Sequence, residues 1–445
     1  MQSFLVWVFW GSTANALELI QAYQLAAKND ATFKAQQKAY EGIKEQQVIA
    51  QAGILPRISA NYTNTPYNRQ LAYSSYQTVY GKYLTKERRN YVSYSGSVVL
   101  TQPIFDYAAF LNIKASQLQT LLAADQLQVQ ASELIVRVVE AYLDAAYAKE
   151  KLMLLSQQRA AYETQLKANQ RFYQLGEGTR IDIIETEAHL STAIVKELEA
   201  QTALEGALAN LKQLTGYNAI TPQAIHLLNS NSSFNILSLP YQQFDEWQSA
   251  VIRHNPQLKV WQKQIELAQY DIERQKAGHL PKLEFYASQS VSKSNTSNTV
   301  DQRYDTGSMG VNVSLPLYAG QAVVAASRVA TLKHQQTIYE RDAQQHNLLL
   351  QLTQLFNHYK SAPQQIAAYE KMLALAETQL AAVKLGVKAG QRSNIDLLIA
   401  SQQLLQARID TMLVKYEHIK GWAALQHIAG DLNIEHLNII SRYLE

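Results

Sequence analysis

Two short turns carry the residues best placed to do chemistry in this 445-residue chain. Thr179-Arg180-Ile181-Asp182 and Ser393-Asn394-Ile395-Asp396 each set an acid three residues after a hydroxyl. That is the spacing of a capping box, in which hydroxyl and carboxylate reciprocally satisfy N–H groups at a helix start. Each turn follows a glycine, Gly176 or Gly390, and Arg392 stands beside the second. Simple capping and an exposed ionic role both fit this pattern. Other chemistry is missing. No His-Glu-x-x-His and no Cys/His cluster occurs, so His346 and His358 read as helix-surface residues. Gly176-Glu177-Gly178 lacks the Lys-Ser/Thr of a phosphate loop and follows a helix, not a strand. No Ser/His/Asp arrangement stands out, and the expectation is a protein that is not an enzyme and needs no cofactor or metal. With no cysteine, the chain has no disulfide, thiolate metal site, Cys nucleophile or acylated-Cys anchor.

Forty basic residues against 37 acidic ones give a net charge of +3 with no basic run, which excludes a nucleic-acid partner. At 47% hydrophobic and 17% charged residues the chain has enough apolar content for a folded core. Residues 1–16 read as a signal peptide: the apolar run Phe4–Trp10 precedes Ala14-Asn15-Ala16, a small-x-small cut site after Ala16, although Met1-Gln2-Ser3 carries no Lys or Arg. No later run approaches the ~20 apolar residues of a membrane helix. A membrane crossing by this chain therefore needs strands.

The elements that position the two turns occur twice. Lys28–Arg57 aligns without a gap on Arg253–Lys282, and Pro103-Ile104-Phe105 matches Pro316-Leu317-Tyr318. Gly176 to Asp182 matches Gly390 to Asp396, in the same order. The chain is a tandem duplication: residues 17–218 form the first repeat, 219–240 a turn-rich linker, 241–430 the second repeat and 431–445 a tail. Each repeat opens with a polar helical stretch, with Asn29-Asp30 or Asn255-Pro256 as a point where it either restarts or runs on, and with Gly53 or Gly278 as its expected C-cap. Two strands separated by a polar loop follow. A long helix comes next, Tyr107 to about Leu175 or Gln321 to about Val387, then the tight turn and a return helix ending at Gly216 or Gly430. The long helix would extend roughly 100 Å, which matches the two shorter helices laid end to end beside it. Pro363 is expected to kink the second. Leu118, Leu121, Leu122, Ile135, Val138 and Tyr142 read as coiled-coil packing.

Period-two alternation marks the strands as Arg57–Thr63, Val92–Thr101, Lys282–Ser292 and Ser308–Leu315, each with one apolar and one polar face; the polar faces are mostly small Ser, Asn and Thr, and Val99, Tyr286 and Gln289 break the alternation. Tyrosines (Tyr62, Tyr67, Tyr73, Tyr76, Tyr80, Tyr83, Tyr91, Tyr94) crowd the first pair and its loop, like the aromatic girdle of outer-membrane strands. Four strands cannot close a barrel, because open edges would carry unpaired N–H and C=O groups into lipid. Two copies would supply eight strands, three twelve and four sixteen. A periplasmic coiled-coil adaptor or scaffold with a soluble β-sheet is the rival reading.

The duplicated Leu55-Pro56 and Leu280-Pro281, the strand ends Gln102-Pro103-Ile104-Phe105 and Leu315-Pro316-Leu317-Tyr318, and the two Gly-x5-Asp turns together resemble the TolC-type outer-membrane efflux and secretion channels. The resemblance spans Leu17 to about Gly430. It implies a mainly α fold: a long α-helical coiled-coil barrel in the periplasm, plus four antiparallel strands per chain in a shared 12-stranded transmembrane β-barrel. It further implies a homotrimer in outer-membrane lipid that works with a periplasmic adaptor (membrane fusion) protein and an inner-membrane transporter, as a passive exit duct. Asp182, Arg392 and Asp396 match the family's gating links and cation-attracting ring, in which three-fold copies of a carboxylate repel one another as the pore narrows and an arginine relieves them. Gly176, Thr179, Arg180, Gly390 and Ser393 are the expected adaptor-docking residues. Two positions depart from the family pattern: Val387 stands where an aromatic is expected and Ile399 where a second acid is.

Overall fold

The computed structural model describes residues 17–229, 234–294 and 302–444. The signal-peptide reading of residues 1–16 and part of the linker (230–233) lie outside them. In chain order the elements are helices α1 (Leu19–Asn29) and α2 (Ala31–Ala52), strands β1 (Arg57–Thr78) and β2 (Gly81–Phe105), and helices α3 (Tyr107–Gln174) and α4 (Arg180–Thr215). The set then recurs as α5 (Phe244–His254), α6 (Pro256–Lys276), β3 (Lys282–Ser294), β4 (Gln302–Ser314), α7 (Ala322–Lys388) and α8 (Asn394–Ala429), followed by α9 (Ile434–Ser441). Matching helices agree in length almost to the residue: α3 and α7 have 68 and 67, α4 and α8 have 36 each. The fold is mainly helical with one antiparallel sheet. α7 runs unbroken through Pro363.

Two compact units cut across the repeats. One comprises residues up to Ala39, Ala124–Val260 and from Arg341 onward; the other comprises Tyr40–Ala123 and Trp261–Glu340.

The first unit holds the larger core, where Leu134, Val138, Tyr142 and Leu211 meet Tyr416, Ile419 and Trp422. Tyr142 does more than pack. Its hydroxyl donates to Leu17 O at 2.7 Å and accepts from His226 N–H at 3.0 Å, so a buried polar tip is satisfied at both ends. Leu121, read with this packing stripe, is instead 56% exposed, because neighbouring Leu122 turns inward. The breaks between the short helices have a common design. Asp30 caps α2 through Phe33 N–H (2.7 Å) and takes a forked pair of bonds from Arg137 at 3.1 and 3.2 Å. Burial alone would raise its carboxyl, but those Arg137 and backbone bonds hold it below the usual carboxylate range. Asn255, its counterpart, accepts from Gln257 and Leu258 N–H and donates to Ile428 O at 2.8 Å. Pro256 sits at the first helical position, where its missing N–H costs nothing.

Each return helix ends on a left-handed glycine wedged against such a break. A Cβ on Gly216 (φ 64°) would lie 2.7 Å from Asn29 Cβ, and one on Gly430 (φ 81°) 2.6 Å from His254 O. Gly53 follows α2 directly and Gly278 stands two residues past α6; both sit in tight turns, closed by Gly53 N–H to Ala50 O and Leu280 N–H to Ala277 O, without a left-handed backbone. Gly278 is small for a packing reason, since Val323 would touch its Cβ at 3.1 Å.

The described part of the linker is clamped down. Trp422 Nε1–H donates to Ser238 O at 2.9 Å, Tyr359 OH donates to Leu237 O, and Leu237 N–H donates to His418 Nε2 at 3.3 Å. The proton of His418 therefore sits on Nδ1, which is buried without a partner. Tyr359 stacks on the ring at 5.1 Å and Phe234 meets it edge-on at 5.8 Å.

The second unit carries the sheet, all antiparallel in the order β1-β2-β3-β4. The first pair far exceeds the expected strands: the segment read as a polar loop stays paired to Thr78↔Gly81. Polar sequence hid it, because a backbone ladder needs no apolar face. Pro66 and Tyr67 form a bulge opposite Val92, where a residue without an N–H interrupts no ladder bond. Register brings the alternating faces of all four strands into common rows. Ile58, Leu100, Ala287 and Met309 share one face; Ser59, Val99, Ser288 and Ser308 share the other. Among the described residues nothing covers the apolar face at its edges: Ile58 is 71% and Met309 79% exposed.

Gly430→Ala is expected to lower stability by more than the roughly 1–2 kcal/mol of left-handed strain, because the clash is with backbone. Thermal unfolding beside Gly42→Ala, which has open space at its Cβ, checks this. Burial, aided by His358, holds His418 down at about 4 against 6.5 for an ordinary histidine. The unfolded chain then binds the extra proton between those values, so stability falls as pH drops through that window, by on the order of 3 kcal/mol. Denaturant midpoints at pH 7.5 and 4.5 should converge in His418→Gln relative to the parent.

Candidate functional site

The sequence-marked turns lie in the first unit, at the C-terminal ends of α3 and α7. Gly176 (φ 78°) and Gly390 (φ 70°) turn the chain left-handed. Glu177 N–H reaches back to Phe172 O at 2.9 Å and Gly176 N–H to Tyr173 O at 3.1 Å; the second turn repeats this with Gln391 N–H to Gly386 O and Gly390 N–H to Val387 O. These paired closures satisfy carbonyls that a bare helix end leaves open.

The next residues build the reverse device at the helix starts. Asp182 Oδ2 accepts from Thr179 N–H (3.1 Å) and Thr179 Oγ1–H (2.6 Å), while Thr179 Oγ1 accepts from Asp182 N–H at 3.2 Å. Asp396 and Ser393 repeat the geometry at 3.0, 3.0 and 3.2 Å. Both boxes are complete. Every one of these carboxylate contacts uses Oδ2, so capping does not engage the second oxygen of either acid. Backbone and hydroxyl bonds from Ser393, with Arg392 nearby, hold the Asp396 carboxyl below the usual carboxylate range. A negative charge at a helix N-terminus is favourable in any case.

Arg392 is exposed, and its stem lies across the last turn of α7: a Cβ on Gly386 would meet Arg392 Cγ at 2.8 Å. Among the described residues Arg392 makes no ion pair, with Asp182 and Asp396 included. Thr179, Arg180 and Ser393 are exposed as well. His346 and His358 are exposed on α7, as expected.

Behind the turns lies a network that the motifs did not announce. Asn169, 2% exposed, donates from Nδ2 to Thr186 Oγ1 at 2.9 Å and to Asp182 O at 3.3 Å, and accepts from Gln165 Nε2 at 2.9 Å. Thr186 Oγ1 in turn donates to Asp182 O at 2.7 Å, and Asn394 Nδ2 approaches Asn169 Oδ1 at 3.5 Å. One buried amide thus ties α3, α4 and the start of α8 together. The available signal was an Asn and a Thr at helix positions that read as apolar-facing. Glu185 is a second residue missed. The spacing that carries Asp182 onto Asp396 carries Glu185 onto Ile399, so one repeat keeps an acid where the other has an apolar residue. The turns also expose apolar side chains, with Leu175 at 66%, Ile181 at 63% and Leu385 at 68%.

Asn169→Ala should cost about 1–3 kcal/mol, because it leaves Gln165 and Thr186 with a lost partner in a buried setting. Hydrogen exchange over residues 165–186 should rise while exchange in the sheet stays unchanged.

The family model described as "Outer membrane efflux protein" matches residues 22–217 and 247–431. The chain is 33% identical to the alkaline protease secretion protein AprF of Pseudomonas aeruginosa, across 99% of this chain and 91% of that protein. It is 32% identical to the proteases secretion protein PrtF of Dickeya chrysanthemi, across 95% and 90%. Among solved structures, the outer membrane protein VceC of Vibrio cholerae superposes with a TM-score of 0.72 at 14% identity, covering 93% of this chain and 96% of that one. At that identity the likeness is one of fold.

Proposed function

The chain belongs to the outer membrane efflux protein family, and we propose that it works there as a passive exit duct assembled from three copies. As a member of that family it is an outer-membrane efflux or secretion channel. The single observation that carries the assembly is the exposed apolar face of a four-stranded sheet whose outer strands, β1 and β4, each have one edge without a strand partner among the described residues. A soluble sheet of an adaptor or scaffold would bury Ile58, Met309 and Val313 under other protein; here they are exposed. Three copies of four strands make twelve, a barrel wide enough for a water-filled lumen walled by the Ser, Thr and Asn face.

The helical part then lies in the periplasm, and the two turns form its entrance. In the ring of three, Asp182 and Asp396 keep their caps through Oδ2 and present the remaining oxygen to the lumen, attracting cations. Arg392, without an ion pair among the described residues, links to a neighbouring subunit's carboxylate and holds the entrance narrow. The exposed Leu175, Ile181 and Leu385, beside Gly176, Thr179, Arg180, Gly390 and Ser393, form the docking surface for a periplasmic adaptor, which brings an inner-membrane transporter. Energy for export comes from that transporter. The two relatives above 30% identity bear protease-secretion names, which favours a type I secretion system and a protein cargo.

Reconstituted into planar lipid bilayers, the purified protein should give discrete conductance steps and migrate before heating near three times its chain mass. Arg392→Ala should raise single-channel conductance severalfold, and Asp182→Ala should act in the same direction. A monomer without conductance would sink the duct; unchanged conductance in both variants would remove the gate.

A further inference from the structure

Beyond the last row shared by all four strands, β1 and β2 continue as a two-stranded ribbon, and the face that is apolar below becomes basic above. Along β2 the residues on the apolar side are Leu100, Val98, Gly96, Tyr94 and Val92, and the same parity then passes through Arg88 and Lys86. The bulge at Pro66-Tyr67 inserts its extra residue in β1, so β2 keeps its alternation and β1 re-enters register with Arg69, Leu71 and Tyr73 on that face. Tyr94 lies in a row with Lys293 and Arg303. Arg69, Lys86 and Arg88 are exposed, and Lys86 Nζ lies 5.6 Å from the centre of the Tyr73 ring. The ribbon's one acid, Glu87, has the opposite parity. Asp305, the acid nearest below on this face, takes a hydrogen bond from Gln289. Exposed Leu84, at 74%, and Leu71, at 38%, alternate with the cations.

We infer that this face of the β1–β2 ribbon is a docking surface for the phosphate groups of anionic lipid headgroups in the outer leaflet. The inference rests on the duct reading, which turns the apolar face toward lipid and the ribbon away from the periplasm. Placement and charge carry it. The basic residues begin where the apolar rows end and rise on the order of 20 Å, given about 3.3 Å per residue on a tilted strand. That is the depth of a headgroup layer above the hydrocarbon. Cations interleaved with Leu and Tyr suit that boundary, where the stems pack on apolar groups and the heads meet phosphate. Arginine adds forked bonding to phosphate oxygens.

Native mass spectrometry of the full-length protein in detergent, titrated with bis-phosphorylated lipid A or its dephosphorylated form, tests this. The parent should retain the phosphorylated lipid at a concentration at least tenfold lower. A combined variant, Arg69→Gln, Lys86→Gln, Arg88→Gln and Arg303→Gln, should reduce that preference to twofold or less while keeping its conductance in planar bilayers. Equal retention of the two lipids by the parent overturns the inference, as does an undiminished preference in the variant. Displacement by equimolar inorganic phosphate also overturns it, since the surface would then recognise an ion and not a headgroup. A preference lost with conductance intact leaves the duct standing; a parent without conductance removes the duct and this inference together.

Discussion

Backbone groups in hydrocarbon must find partners within protein, and that requirement governs how this chain is built. An N–H or C=O left bare in lipid costs several kcal/mol, so an open four-stranded sheet has no stable place there alone. Here β1 and β4 each offer one unpaired side, and the sheet between them leaves Ile58 and Met309 exposed. On a lone chain the same features invite edge-to-edge association. The proposed assembly of identical copies would pair both edges within one ring.

The helices solve a different problem with the same economy. A duplicated plan supplies two copies of every device: a helix break at Asp30 or Asn255, a left-handed glycine lodged against it, and a turn closed by glycine and reopened by a capping box. The two copies are not equivalent in charge. Asp30 is held by the guanidinium of Arg137, whereas Asn255 does the corresponding capping without charge. Glu185 corresponds to Ile399 in the second repeat. A duplicated chain can therefore keep its geometry while its two halves diverge in electrostatics.

At the turns, Asp182 and Asp396 each cap a helix start through Oδ2 alone and leave the other oxygen outside the cap. The proposed ionic role at the entrance draws on that second oxygen, so it needs no residues beyond the caps. The buried Asn169 fixes the two turns relative to each other through Thr186 and Asn394. A satisfied polar network in a small apolar setting gives the turns the rigidity that the proposed ring of charges requires.

Local pattern was enough for much of this. The repeat, the ends of α3, α4, α7 and α8, the capping boxes and the alternating strand faces all follow from residue types a few positions apart, because caps and pleats are local physics. Three things required the folded chain. The polar segment after Thr63 gave no apolar signal, yet its strands pair to Thr78↔Gly81, since a ladder is decided by the partner strand. Gly53 and Gly278 read alike as helix caps, but only the folded chain shows that Gly278 is also held small by Val323. Asn169 joined a network whose members lie up to 225 positions away in the chain. Sequence spacing determines what a segment can do with its neighbours; only tertiary structure decides which distant groups arrive to satisfy a buried amide, cover a face or leave one bare.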